Sequence, residues 1–552
     1  MHRAFDFDDI IYSVLKYLKG EDLINVAATC HPRLSAPALN ILWFERTSLV
    51  SLIACLPQDA WAIVDRTILY RSRRPDEEDE WHIVERAMNL TREPTPSEWE
   101  RFQTYASRVR RLIVPELDPL PWAKDFPKLP QIHVSATVLR RLFEQFPADT
   151  LFQNLCSFDS RALQKSSSDL SLVRKFMSPR LEALNVHVSA TVPPHEVEQF
   201  IGALAIEAHG LRQLSLSLNN GLQSFAVLPN FGMLPKLFEL TIRGVDASLT
   251  RQTITNIQQL RCLKTLKLSL LGTCCNGGVM ALELSSLESL SLSGEDLPQC
   301  THFIRQITTR KLSHVAIDYV RRASPSDSTV FTQSLSTLCQ YHGFLKQICV
   351  VNNRNLHAEK AEHFQFIPLV SEVFRPLLKF TGLLSVEFVE MGNYCLDDQF
   401  IYQIINAWPG IQKLSFVSGH SPARAEVTFN AMMSLATRCK SLRSLNMTCD
   451  ASQPISIPQA EDGTERLWPA QTALRALNLE DTPLQEVGNL PYILGKVFPA
   501  LNPWKFQGYS YIAIPDHLDP PRYALDEIRK ALLEMPDRVD YRVHPDSDEE
   551  ED

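Results

Sequence analysis

From Val109 onward the chain returns to one short pattern, apolar–x–x–apolar–x–apolar. It occurs as Val109–Leu112–Val114, Leu181–Leu184–Val186, Leu211–Leu214–Leu216, Leu237–Leu240–Ile242, Leu263–Leu266–Leu268 and Leu287–Leu290–Leu292. It continues as Leu312–Val315–Ile317, Leu345–Ile348–Val350, Leu383–Val386–Phe388, Ile411–Leu414–Phe416, Leu442–Leu445–Met447 and Leu474–Leu477–Leu479. First positions at 211, 237, 263, 287 and 312 give steps of 26, 26, 24 and 25. A later step, 345 to 383, stretches to 38. Alternation on a strand sends every second side chain to one face, so each pattern predicts a short strand with its leucines on one side. The text between them turns to helical spacing. Leu249, Ile254, Ile257 and Leu260 share one face, Phe400, Ile401, Ile404 and Ile405 another, and Met432, Met433 and Leu435 a third. One strand and one helix cannot close a core, so the units must stack, with strands side by side in parallel and helices covering them.

The first 46 residues follow a different rule. In the stretch from Phe5 to Arg46, Ile10, Ile11, Val14, Leu15 and Leu18 recur at helical spacing. Gly20 is expected to stop that helix, and Glu21 and Asp22 stand where the positive end of a second helix would favour them. Leu23, Val26, Ala27 and Cys30 line the second helix. Pro32 interrupts, and Leu39, Leu42 and Trp43 supply a third apolar face. About 40 residues cannot bury so many large side chains among themselves. Some must meet another surface.

These residues resemble an F-box. The order acidic–Ile–Ile–x–x–Val–Leu–x–x–Leu is met by Asp9, Ile10, Ile11, Val14, Leu15 and Leu18, followed by Asp22–Leu23, Cys30 and Trp43. The chain is similar to F-box proteins of mushroom-forming fungi. The resemblance implies a three-helix module that docks on the small adaptor subunit of a cullin–RING ubiquitin ligase. The contact would be made by Phe5, Phe7, Ile10, Ile11, Val14, Leu15, Leu18, Leu23, Leu42 and Trp43. The family usually carries Leu–Pro just before the first helix. Here those positions are Asp6 and Phe7, a departure that bears on adaptor affinity.

The step lengths lie within the leucine-rich-repeat range of about 20–29 residues. The repeat asparagine is mostly missing, since Leu216 is followed by Ser217 and Leu268 by Ser269. The fold class expected is therefore α/β: an N-terminal three-helix F-box, then an irregular leucine-rich-repeat solenoid with a curved parallel sheet and outer helices. The divisions are 1–46 for the F-box, 47–107 for a helical linker packed on the solenoid, and 108–512 for the repeats. The remainder, 513–552, holds a capping helix and an acidic disordered tail. Within the linker, Leu49, Leu52, Ile53 and Leu56 predict one helix and Trp99, Phe102 and Tyr105 another. Trp61, Ile63, Val64 and Ile68 read as a packed turn or short strand, Pro75 to Glu80 as an acidic loop, and Ser452 to Pro469 as a long insertion. Tyr523 to Met535 is amphipathic, with Leu525, Ile528, Leu532 and Met535 on one side.

Composition narrows the function. The 552 residues hold 55 Lys and Arg against 64 Asp and Glu, a net charge of −9. That balance disfavours nucleic acid as main partner, because phosphate neutralisation needs clustered cations. Arg108, Arg110 and Arg111 are read as solvent-facing residues flanking a strand. Hydrophobic residues at 45% and charged residues at 22% are ordinary for a globular protein. No run reaches the length of a membrane span, and Asp6, Asp8 and Asp9 are foreign to a secretory signal. The expected setting is cytoplasmic or nuclear, where 12 scattered cysteines are most simply buried apolar residues.

Candidate chemistry is sparse. No phosphate-binding loop, dinucleotide fingerprint, zinc-protease or nucleophile-elbow motif is present. His357 and His363 stand six apart, a spacing that does not bring two ligands together on a helix. Cys274 and Cys275 are adjacent and point apart. Asp397–Asp398 stand where a helix N-terminus favours negative charge. Ser547, inside PDSDEEED, suits acid-directed kinases. The expectation is a protein with no catalysis, metal or cofactor, holding a substrate protein on exposed strand residues such as Arg212, Ser215 and Ser217 or Lys264, Lys267 and Ser269. Two alternatives remain: a stand-alone repeat scaffold without a ligase role and, more remotely, a hydrolase hidden in the irregular repeats. A scaffold would cover its N-terminal leucines with residues 47–110, whereas an F-box would leave an apolar face open.

Overall fold

The computed structural model describes residues 8–29, 31–71, 80–114, 132–146, 151–166, 169–189, 192–218, 230–246, 251–271, 282–338, 344–353, 368–418, 426–451, 468–479, 482, 490–502 and 530–533. The chain divides into two compact units. The first comprises Met1–Gly244 and Thr250–Leu263, and the second Val245–Leu249 and Lys264–Asp552.

The first unit opens with helices α1 (Asp8–Leu15), α2 (Gly20–Ala28) and α3 (Pro32–Phe44). Gly20 does not end the first helix. It opens the second, with Glu21 and Asp22 in the first turn, where carboxylates meet unpaired backbone N–H groups. Pro32 occupies the first turn of α3, a position where a missing N–H costs nothing. Helix α3 runs directly into the strand Glu45–Arg46, which pairs in parallel with Arg111–Leu112. From there parallel partners follow in chain order: Ser157–Asp159, Ala183–Val188, Gln213–Leu218 and Glu239–Asp246. Their register stacks Leu112, Phe158, Leu184, Leu214 and Leu240 in one row, and every member is buried.

The linker of the first unit departs from expectation. It is helical at Val50–Ile53 and Pro96–Ala106. Between them Trp61–Arg71 and Glu80–Leu90 form a long antiparallel pair. Ile132–Val134 joins the second of these strands in parallel as a third member. Ile63 and Val64 are β-branched residues that fit a pleated surface better than a helix. The helix Pro96–Ala106 is fixed by a capping box in which Thr95 and Glu98 each satisfy the other's backbone N–H. The acidic loop read at Pro75–Glu80 lies outside the described residues except for Glu80, which belongs to a strand.

The second unit repeats strand and helix in parallel. Thr265–Leu271, Ser289–Gly294, His314–Tyr319, Gln347–Asn352, Ser385–Val389, Lys413–Val417, Ser444–Met447 and Ala476–Asn478 pair successively. Leu266, Leu290, Val315, Ile348, Val386, Leu414, Leu445 and Leu477 form one buried row. The next inward row changes from Leu268 and Leu292 to Phe388 and Phe416, whose rings stack 5.6 Å apart. Larger side chains need more cover. The long step between Leu345 and Leu383 supplies it with Pro368–Val370, Ser371–Phe374 and Arg375–Lys379. Each buried leucine contributes about 1.5–3 kcal/mol. Each unit is thus an α/β solenoid of repeated strands and helices on a parallel sheet, held by rows of apolar side chains.

Helix N-termini carry the acids that the sequence placed there. Asp397 accepts a hydrogen bond from Phe400 N at 2.7 Å. Asp398 accepts from Thr428 N at 2.7 Å and Thr428 Oγ1 at 2.8 Å, and Thr428 Oγ1 in turn accepts from Ala431 N. One repeat thereby fixes the cap of the next. The final amphipathic segment is described only at 530–533, which is helical with Leu532 buried.

Candidate functional site

The three N-terminal helices carry their own small core. Ile11, Leu15, Leu23 and Ala38 are buried together, with Leu18, Val26, Ala27, Leu34, Ile41 and Leu42 packed against them. Among the described residues this cluster draws no member from beyond Leu42. The side chains read from the sequence as one apolar face therefore separate into two sets. Ile11, Leu15 and Leu23 hold the helices to one another, and Leu18 and Leu42 border that core. Ile10 and Val14 point away from it and are 43% and 49% exposed. Ile10 and Val14, four residues apart, share one side of α1, and Tyr17, in the turn that follows, is 91% exposed. Ile24 on α2 and Tyr12 on α1 are also exposed.

Trp43 serves the inside of the first unit. Its ring lies 5.1 Å from that of Tyr105, and the Arg46 guanidinium sits 4.3 Å above it. Arg108, expected to face solvent beside a strand, reaches back to α3, donating to Ala36 O at 3.3 Å and to Asn40 Oδ1. Arg110 donates its backbone N–H to Phe44 O, and Arg111 bridges Glu45 at 2.9 Å. These contacts anchor the end of α3 and leave α1 and the start of α2 as the open part of the module. Phe5, Phe7 and Cys30 lie outside the described residues. Periodicity could not separate Ile10 from Ile11 or Val14 from Leu15, because a helix rotates only about 100° per residue and both members of each pair fit a broad apolar stripe.

A second surface is the side of the strands that faces away from the leucine rows. In the first unit a depression of about 160 Å³ lies over Ser157, Asp159, Asn185, Ser215, Glu239 and Thr241. Its polar groups are tied into place. Asp159 is buried and accepts from Arg161 Nε at 2.9 Å, Arg161 Nη2 at 2.6 Å and Asn185 Nδ2 at 3.0 Å. Gln213 Nε2 donates to Glu239 Oε2 at 3.0 Å, and Ser217 Oγ is hydrogen-bonded with His187 Nδ1 at 3.0 Å. Of the residues expected to read a partner, Arg212 is exposed, Ser215 half-buried and Ser217 buried. In the second unit Lys267 is exposed and Ser269 half-buried, while Lys264 is engaged with Glu288 at 3.0 Å. The surface is polar and small-featured, suited to hydrogen bonding with a partner's side chains.

Chemistry-bearing groups do not converge. Among the described residues no three His, Cys, Asp or Glu side chains are placed to hold a metal ion, and no helix is long and apolar enough to cross a membrane. Burial pushes the Cys449 thiol up to about 12 and those of Cys349 and Cys439 to about 11. These thiols are thereby kept from the thiolate form that attacks or ligates. Asp397 is occupied as a cap and Asp398 in holding Thr428. His357, His363, Cys274, Cys275, Ser547 and nearly all of the insertion from Ser452 lie outside the described residues.

No family model matches the sequence. No curated protein matches it either. Among solved structures the chain is similar to one described as a TLR13–ssRNA13 complex, at 16% identity and a TM-score of 0.32, over 67% of this chain. The chain spans only half the length of that structure's chain. It is also similar to the leucine-rich repeat-containing protein LegL7 from Legionella pneumophila, at 12% identity and a TM-score of 0.27 over 63% of this chain and 97% of that one. A third is the mouse RP105/MD-1 complex, at 12% identity and a TM-score of 0.27 over 77% and 87% of the two chains.

Proposed function

We propose that the N-terminal helices are an F-box and that the protein is a substrate-recognition adaptor of a cullin–RING ubiquitin ligase. In this reading α1 and α2 dock on the ligase's adaptor subunit, and the repeats hold a substrate protein for ubiquitin transfer. The chain itself performs no catalysis, needs no cofactor and contributes proximity. It acts in the cytoplasm or nucleus. The observation that carries this reading is the division of α1. Ile11 and Leu15 enter the module's core, whereas Ile10 and Val14 of the same helix remain uncovered, as does Tyr17 in the turn that follows. Water-facing positions on an isolated helix are ordinarily polar, and an aligned apolar set marks a contact surface.

One observation favours a different reading, a stand-alone repeat scaffold. Trp43 and the end of α3 are committed to Tyr105, Arg46 and Arg108 of the same unit, as an N-terminal cap would be. The two readings part at α1. Purified adaptor subunit mixed with this chain should form a stable complex, and Ile10→Asp with Val14→Asp should abolish it without unfolding the helices. Failure of the unaltered chain to bind would leave the scaffold. Leu15 and Leu18 are poor choices for this test, because changing them strikes the module's interior.

A further inference from the structure

We infer that the strand-entry edge of the second unit binds an acidic, extended segment of a partner protein, through Lys346, Arg443 and Arg475. The residue just before each strand forms a continuous hydrogen-bonded row. Leu384 N donates to Lys346 O at 2.7 Å, Gln412 N to Leu384 O at 2.7 Å, Arg443 N to Gln412 O at 2.7 Å and Arg475 N to Arg443 O at 2.8 Å. Arg443 and Arg475 are therefore immediate neighbours, with backbones about 4.8 Å apart, and Lys346 lies three strands away, about 14 Å. All three side chains are exposed.

The same edge shows how such cations are normally neutralised. Lys264 meets Glu288 on the adjacent strand at 3.0 Å, and Lys413 meets Glu387 at 2.7 Å. Among the described residues Lys346, Arg443 and Arg475 have no such carboxylate. Like charges on adjoining strands repel, so two arginines side by side gain when an anion arrives. Exposed Lys440 stands three residues before Arg443. Phe344, 54% exposed two residues before Lys346, adds an apolar contact at the far end.

The spacing selects the ligand. A fully extended peptide advances about 3.3 Å per residue. Carboxylates about four residues apart therefore span Lys346 to Arg443, and closely spaced ones meet the Arg443–Arg475 pair, where a guanidinium can grip a carboxylate with two parallel hydrogen bonds. A nucleic acid is disfavoured because the stripe is short, is interrupted by the uncharged Leu384 and Gln412, and belongs to a chain of net charge −9. The inference concerns the second unit alone and stands or falls independently of α1.

The test uses the full chain, a fluorescent eight-residue Asp/Glu peptide, its Asn/Gln counterpart and an eight-nucleotide single-stranded RNA. Anisotropy should report binding of the acidic peptide only, weakening as salt rises. Arg443→Glu with Arg475→Glu should weaken it roughly tenfold or more. Arg140→Glu with Lys236→Glu, the same charge change at exposed sites of the first unit, should leave it unchanged. Equal weakening by both double variants, no weakening by the first, or no binding by the unaltered chain would each overturn the assignment. Displacement by RNA at lower concentration than by unlabelled acidic peptide would overturn it in favour of nucleic acid. Binding that emerges only when residues 545–552 are removed would assign the edge to the chain's own acidic end instead.

Discussion

Val14 and Leu15 are consecutive residues of one helix, and aspartate at the two positions should have opposite consequences. Leu15 is 4% exposed inside the cluster with Ile11, Leu23 and Ala38. Removing it forfeits about 2–3 kcal/mol of apolar burial. The incoming carboxylate finds no cation in that cluster, and burying it costs several kcal/mol more, or an equivalent shift toward its neutral form. So small a module has little stability to spare, and Leu15→Asp should unfold α1 and loosen α2 and α3. Val14 is 49% exposed, so its replacement gives up about 1 kcal/mol at most. The helices should persist. If Val14 lies beneath a docked adaptor, however, an uncompensated charge there should weaken binding by about 2–5 kcal/mol, roughly 30-fold or more. Hydrogen exchange followed over residues 8–44 reads the first effect, and titration calorimetry with the adaptor subunit reads the second. The reasoning fails if Leu15→Asp leaves exchange in α2 and α3 unaltered. It fails equally if Val14→Asp binds as tightly as the unaltered chain, since α1 would then play no part in docking.

Three further outcomes are expected. Leu290 is fully buried between Leu266 and Val315, so Leu290→Ala should cost about 3–5 kcal/mol in urea denaturation; a loss under 1 kcal/mol would show that the row is not tightly packed. Hydrogen bonding to Arg92, first among its causes, draws the Glu98 carboxyl down to about 2. The unfolded chain therefore takes up that proton first, and the contribution of Glu98 is fully present above the ordinary carboxylate value of about 4.3. It drains away as pH falls and is gone once pH passes below about 2. Arg92→Leu should flatten the thermal midpoint between pH 5 and pH 2 (both roughly bracketing those values), and an unchanged profile would remove Glu98 from the account. Finally, Cys262 is exposed whereas Cys449 is buried with its thiol held up by desolvation. Peptide-level mass spectrometry after brief alkylation should find Cys262 modified and Cys449 untouched until denaturant is added. Modification of both in the native protein would mean that the last repeats open readily.

How far the sequence carries can be seen element by element. Each recurring apolar triplet falls on or beside a strand of the parallel array, because a period of two and a gap that accommodates a returning helix are properties of the chain alone. The helix start at Asp397 was legible because its side chain fulfils a backbone need, that of Phe400 N. Of the long pair Trp61–Arg71 and Glu80–Leu90, no more than a turn or short strand around Trp61 to Ile68 was legible, since a strand's length depends on the partner strand beside it, and that partner is supplied by tertiary contact. Which of Ile10 and Ile11 turns inward, where Trp43 lies, and whether Arg443 meets a carboxylate were likewise decided by packing. Hydrophobicity along a chain states how much surface must be hidden. Only the arrival of Leu23, Ala38 and Tyr105 from distant positions states which side chains are hidden and which are left facing out.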